Sequence, residues 1–148
     1  MDDAPGVVRC PRCGSKNRLR ASADGVPRCG RCRSLLPWIT SAGAATFEAE
    51  VHAPVPVVVD FWAPWCAPCR MVQPVLERFV ETHAGRVKLV QVNVDDEPEL
   101  ASRWQAMSIP LLVALRDGEE LFRIVGAHPP AELERRLEPL LEATAVPS

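Results

Sequence analysis

The chain holds 148 residues, 47% of them apolar, which is enough for one ordinary domain plus a small module and lies well outside the disordered range. No apolar run approaches the roughly 18 to 20 residues needed to span a bilayer. Met1-Asp2-Asp3 offers no apolar h-region, so no signal peptide is expected and the protein is placed in the cytoplasm. Charge is divided unevenly. Residues 1–36 carry eight Arg or Lys against three Asp, whereas residues 37–148 carry nine basic against sixteen acidic side chains.

All six cysteines lie between Cys10 and Cys69, in three Cys-x-x-Cys pairs. Without an export signal the cytosol keeps such thiols reduced, so the pairs point to metal and redox work rather than a disulfide scaffold. After a loose tail over residues 1–6 comes Cys10-Pro11-Arg12-Cys13, then fifteen residues, then Cys29-Gly30-Arg31-Cys32. Two such pairs at this separation predict a zinc site of four thiolates. Each pair forms a knuckle that aims two sulfurs inward, with Gly14 and Gly30 supplying backbone freedom. A closed four-sulfur shell is structural, not catalytic. Residues 7–36 have too few large apolar groups to fold alone, so the metal must supply most of their folding energy. The expected form is a zinc ribbon of short hairpin strands, a redox dithiol pair or disulfides being the alternatives. Residues 7–36 also lack Phe, Trp and Tyr to stack on bases, and four thiolates offset part of the positive charge, so a nucleic-acid partner is not expected.

The second module is expected over residues 37–148. Leu35, Leu36, Trp38 and Ile39 make the junction apolar, and part of it should form a first strand. Ala44–Val51 reads as a short helix ended by His52-Ala53-Pro54. Val55–Phe61 reads as a buried strand, interrupted by Pro56 and Asp60. The next segment places apolar residues at Val72, Val75, Leu76, Phe79 and Val80, one face of a helix. Cys66 and Cys69 therefore sit where a strand hands over to a helix, and Pro68 falls in the first turn, where its missing donor costs nothing. Free N–H groups and the helix dipole stabilise a thiolate at Cys66. Cys69 is placed to attack a mixed disulfide formed there. Inert buried thiols or half a metal site are the other readings of such a pair.

Arg86–Val94 reads as another strand, with alternation at Val87, Leu89, Gln91 and Asn93. Asp95 and Asp96 are expected to cap a short helix from Pro98. Leu111–Leu115 is a buried strand, Asp117-Gly118 a hairpin turn, and Glu120–Val125 its partner. Ala131–Leu141 closes the chain as a helix that Pro139 should kink or end early. The order βαβαβαββα predicts an α/β fold with a mixed sheet. His52, His83 and His128 have no partner at metal or catalytic spacing and are read as surface residues.

Asp60-Phe61-Trp62-Ala63-Pro64-Trp65-Cys66-Ala67-Pro68-Cys69 resembles the active site of the thioredoxin family. Ile109-Pro110, Asp117-Gly118 and Val125-Gly126-Ala127 match further, in the family's order, and the likeness runs from about Pro37 to Leu141. With the four-cysteine module ahead of it, the chain is similar to zinc-ribbon thioredoxins of the thioredoxin 2 type. The resemblance implies a central mixed sheet flanked by helices, a protein-disulfide reductase with no organic cofactor, and a flavoprotein thioredoxin reductase using NADPH as electron donor. It implies a monomer acting on disulfide-containing proteins. A disulfide oxidant or isomerase, or a zinc-stabilised holdase on the same scaffold, are the rival functions.

By this likeness Cys66 is the nucleophile, Cys69 the resolving thiol and Asp60 its proton partner. A carboxyl in the middle of an apolar strand should have a raised pKa, unless it lies at an exposed strand end. Ile109-Pro110 is expected to be cis, an ordinary trans turn proline being the alternative. Trp65, Ala67, Pro68, Ile109, Pro110, Val125, Gly126 and Ala127 are expected to contact substrate, and Trp62 to be core. Ala67 stands where the family usually has Gly. Gln91 stands where many relatives have Lys, which should raise the Asp60 pKa further. Because the junction is short and apolar, the ribbon is also expected to shield or tune the dithiol.

Overall fold

The structure is a computed structural model and describes residues 7–19 and 26–145. The tail expected over residues 1–6 lies outside the described residues. Strands β1 (Val7–Arg9) and β2 (Lys16–Arg18) form an antiparallel hairpin, and an isolated bridge joins Arg28 to Leu35. Then follow β3 (Trp38–Ser41), α1 (Phe47–Val51), β4 (Val57–Trp62), α2 (Ala67–Thr82), β5 (Lys88–Asn93), α3 (Pro98–Arg103), β6 (Leu111–Arg116), β7 (Glu119–Val125) and α4 (Pro130–Ala145). The sheet order is β3-β5-β4-β6-β7, with β3, β5 and β4 parallel and β6 and β7 antiparallel. This is the mixed α/β architecture expected of the chain.

Both faces of the sheet are covered. One core packs Val72, Leu76, Phe79 and Val80 of α2 and Leu133, Leu137 and Leu140 of α4 on Val58, Leu89 and Leu112. The other packs Phe47 and Val51 of α1 and Leu100 of α3 on Val57, Val59, Phe61, Val90, Val92 and Val113. Strands buried on both sides read as continuous apolar runs, which explains Val57–Val59. It also explains why Lys88 in β5 is buried although an alternating pattern assigns it outward.

Several elements depart from expectation. α1 starts at Phe47, not Ala44, because the Phe47 and Thr46 N–H groups both turn back to the Gly43 carbonyl, at 2.9 and 3.1 Å. α4 runs through Pro139 to Ala145. Burial of Leu140 and Leu141 beyond the proline outweighs its single lost donor, and Pro139 itself faces solvent. Asp95 and Asp96 do not cap α3, whose N-cap is Glu97 without a side-chain bond. Trp62 is half-buried rather than core.

The ribbon joins the sheet through Leu35, Leu36 and Trp38. Leu36 packs with Cys10 and Cys29, and Leu35 lies so close to Gly85 that a Cβ there would fall 2.5 Å from it. Gly85 has φ +90° in the turn between α2 and β5, so both its conformation and its lack of side chain are used. These contacts lie where the parallel strands begin, with Trp38 and Val57 both in register with Lys88. Cys66 follows the other end of β4, six residues of strand away, which is about 20 Å. The ribbon is expected to shield or tune the dithiol; its anchor at the opposite end of the sheet speaks against shielding and does not bear on tuning.

Candidate active site and metal centre

β4 delivers Cys66 to the N-cap of α2, with extended backbone at φ −89° and ψ 100°. Cys66 and Cys69 are joined as a disulfide, with Cα atoms 5.3 Å apart. The Cys69 N–H donates to the Cys66 sulfur at 3.2 Å, so one orphan donor of the helix terminus already points at that atom. Such a donor, together with the dipole, favours negative charge on this sulfur when the bond is reduced. Both residues are buried, Cys66 4% exposed and Cys69 0%.

Asp60 lies in β4 two residues before the strand ends and is fully buried. Neither carboxylate oxygen has a hydrogen-bond partner among the described residues. Burial, and then the Glu77 carboxylate, pushes its pKa up to about 7. Gln91 is its register partner on β5. The one cation that β5 carries, Lys88, is used elsewhere. Its ammonium donates to the Glu50 carboxylate and backbone carbonyl at 2.8 and 2.7 Å, and sits 4.4 Å from the centre of the Trp38 ring.

The Ile109–Pro110 peptide bond is cis, and the Ile109 carbonyl oxygen lies 3.9 Å from the Cys66 sulfur. The Gly126 N–H donates to the Pro110 carbonyl at 3.0 Å, tying this loop to the end of β7. Trp65, Ala67, Pro68, Val125 and Ala127 are exposed, Ile109 and Gly126 half-buried, and Pro110 buried. The Trp65 indole N–H donates to both Asp95 oxygens, at 3.1 and 3.0 Å, so Asp95 positions a ring beside the dithiol rather than a helix start. Sequence reading missed two exposed apolar side chains, Met71 on α2 and Met107, the latter 90% exposed two residues before Ile109. The signal was present: each is an apolar side chain close in sequence to an expected contact residue. The three histidines belong to no metal-capable group among the described residues.

The comparisons with known proteins agree with this geometry. The thioredoxin family model matches residues 40–139. A thioredoxin of Alicyclobacillus acidocaldarius subsp. acidocaldarius is 43% identical over 98 residues, which is 66% of this chain and 93% of that protein. Thioredoxin 1 of a Nostoc species is 45% identical over 95 residues, 64% of this chain and 89% of its own length. A Synechocystis thioredoxin is 43% identical over 98 residues, covering 66% and 92%. The chain belongs to the thioredoxin family. It is accordingly a thiol–disulfide oxidoreductase, a protein-disulfide reductase by family, and the dithiol lies within the matched residues.

The family match begins at Thr40, after the four remaining cysteines. Their sulfurs all lie within 4.8 Å of one another, with Cys10 to Cys32 at 3.5 Å and Cys13 to Cys29 at 3.6 Å. A tetrahedral thiolate shell with metal–sulfur bonds of about 2.3 Å puts its sulfurs about 3.8 Å apart, so the set fits such an ion. The two knuckles repeat one pattern. Cys10 N–H bonds the Ser15 carbonyl as Cys29 N–H bonds that of Ser34, both at 2.8 Å. Gly14 N–H returns to Cys10 as Arg33 N–H returns to Cys29, both at 2.9 Å. The left-handed positions are Gly14 at φ 79° and Arg33 at φ 68°, so the second knuckle's turn is taken by Arg33 and not by the expected Gly30. N–H donation from Cys32, then from Arg31, with help from the Asn17 amide, holds the Cys29 thiol down at about 6 despite burial. The Ser34 hydroxyl and then its N–H lower the Cys32 thiol as well, and a set of four thiols with two biased toward thiolate suits a soft, closed-shell cation.

Proposed function

We propose that the protein is a zinc-bearing thioredoxin that reduces protein disulfides in the cytoplasm. Residues 1–36 act as a metal ribbon and residues 37–148 as the catalytic domain. The observation that carries this reading is a cysteine pair at a helix terminus, Cys66 capping α2 and joined to the fully buried Cys69, in a chain of the thioredoxin family.

The Cys66 thiolate attacks one sulfur of the target disulfide. That S–S bond breaks, a mixed disulfide forms, and the target's other sulfur leaves as a thiolate that takes a proton from water. Cys69 then gives its proton to Asp60 and attacks the Cys66 sulfur, which releases the second target sulfur as thiolate and leaves Cys66–Cys69 oxidised. A group with a pKa of about 7 exchanges this proton readily near neutral pH. Trp65, Ala67, Pro68, Ile109, Val125, Gly126 and Ala127 hold an extended target segment, with the Ile109 carbonyl available as backbone acceptor. Pro110, buried, positions that carbonyl. A flavin-dependent thioredoxin reductase drawing on NADPH returns the electrons, and the protein works as a monomer. Cys10, Cys13, Cys29 and Cys32 hold one zinc ion, which when bound supplies structural closure of the ribbon and no redox chemistry.

The deciding experiment equilibrates the zinc-loaded protein with a thiol buffer and measures the Cys66–Cys69 potential. A value near about −270 mV, the reference for thioredoxin rather than a number obtained from this geometry, supports the reductant. A value of about −180 to −120 mV would make the protein an oxidant or isomerase instead. Full biological activity in Cys66→Ser would replace both with a binding module.

A further inference from the structure

The ribbon is anchored away from the dithiol, so its role is sought in its own surface. Its described residues carry Arg9, Arg12, Lys16, Arg18, Arg28, Arg31 and Arg33 and no acidic side chain. Two of these guanidiniums close the knuckles: Arg9 donates to the Gly14 carbonyl at 3.4 Å and Arg28 to the Arg33 carbonyl at 3.1 Å. Arg12, Arg18, Arg31 and Arg33 are exposed, and their guanidiniums have no partner among the described residues. Arg12 and Arg31 occupy equivalent places in the two knuckles, each just before an exposed sulfur, Cys13 or Cys32.

Arg33 is the informative member. It sits at φ 68°, where the sister knuckle uses Gly14 at φ 79°. A Cβ in that region crowds the following carbonyl, so glycine is the unstrained choice and arginine is not. Four thiolates with one divalent cation carry a formal charge of −2, which two arginines already balance. The remaining positive charge is surplus to the metal site. Strain retained at a charged, unpartnered position is what a working surface shows.

We propose that Arg12, Arg31 and Arg33, exposed on the two knuckles, form a docking surface for acidic segments of protein substrates. It rests on the reductase reading above and adds a substrate class to it. A long polyanion is disfavoured as occupant, because its length would carry it past the ribbon onto the acidic remainder of the chain, where residues 37–148 hold nine basic against sixteen acidic side chains. A short acidic stretch of a folded or partly unfolded protein meets the arginines alone, and is thereby tethered to the molecule that carries the dithiol, which raises the effective concentration of the rest of that substrate at the site.

The test uses two synthetic peptides with the same internal disulfide, one followed by a run of glutamates and the other by a run of glutamines. Zinc-loaded wild type should reduce the glutamate peptide with a KM about fivefold lower, at equal kcat, and the difference should vanish at about 1 M salt. Arg12→Gln with Arg31→Gln should abolish the difference and leave the glutamine peptide unchanged. Arg33→Gly gives opposite signs on two readouts: the thermal midpoint rises by about 4 °C, while KM for the glutamate peptide rises about twofold. Equal KM values in wild type, or weaker zinc retention in Arg33→Gly, would overturn the proposal, the latter by making Arg33 a counterion of the site. Tighter binding of duplex DNA than of the glutamate peptide at about 0.15 M salt would also overturn it. Fluorescence anisotropy of the labelled glutamate peptide reads docking without turnover. If that binding is seen and neither peptide is reduced, the reductase reading fails and the docking surface stands.

Discussion

Lys88 and Glu50 meet 2.8 Å apart at the floor of the catalytic module, where they are 2% and 1% exposed. The carboxylate oxygen that takes the ammonium also takes the Thr40 hydroxyl, at 2.9 Å, and the Trp38 ring covers the cation. α1, β3 and β5 are thus fastened by one charge pair just above the ribbon anchor.

Removing one partner should be costly and removing both should not. Glu50→Gln or Lys88→Met leaves a buried charge uncompensated, with an expected loss of about 3–5 kcal/mol. The double variant Glu50→Leu/Lys88→Met should recover most of it. Urea denaturation of the three proteins gives the comparison, and additive losses would refute the pairing argument.

Asp60 should make stability fall as pH rises. Its folded pKa of about 7 lies above the ordinary carboxyl value, so the folded state holds a proton that the unfolded chain has released. The penalty is absent below pH 4, grows between about 4 and 7, and reaches roughly 2–4 kcal/mol above that. Asp60→Asn should therefore unfold at higher urea than wild type at pH 8, and at a similar concentration at pH 4. The same change should slow resolution of the mixed disulfide at neutral pH.

Gln91→Lys should lower the Asp60 pKa, because it sets a cation at the register partner of a carboxyl that has none. Carboxyl-carbon NMR titration reads this directly, and an unmoved midpoint would show that the new ammonium turns to solvent.

Stripping the metal should unfold the ribbon and weaken the catalytic module without disabling its dithiol. Leu36 packs with Cys10 and Cys29 next to Trp38, so loss of the ribbon uncovers that junction. A chelator should lower the thermal midpoint of the catalytic module by several degrees, while the potential of Cys66–Cys69 shifts by less than about 10 mV, well under the roughly 30 mV of a tenfold change. A large shift would restore the idea of ribbon control over the dithiol.

Much of this was legible before any coordinates. The apolar spacing from Val72 to Val80 locates α2, and the strand before it then fixes Cys66 at its cap. The four ribbon cysteines pair by spacing alone. What escaped was set at long range. Glu50 and Lys88 are 38 residues apart and meet only through sheet packing. A lysine among Val87, Leu89 and Val90 was the available signal, hidden because alternation presumes a sheet with one wet face. Asp95 looked like a cap because local rules favour it there, but Trp65, thirty residues earlier, takes its oxygens. Likewise Pro139 breaks a helix by local rules, and the leucines beyond it prevail through burial.

The division of roles proposed for Cys66 and Cys69 also makes the molecule easy to arrest. On the proposed mechanism a partner is captured on Cys66 and freed by Cys69, so Cys69→Ser should keep capture and remove release. Proteins that pass through the site would accumulate on Cys66 as stable conjugates, and the cell's own traffic would be written down on a single residue.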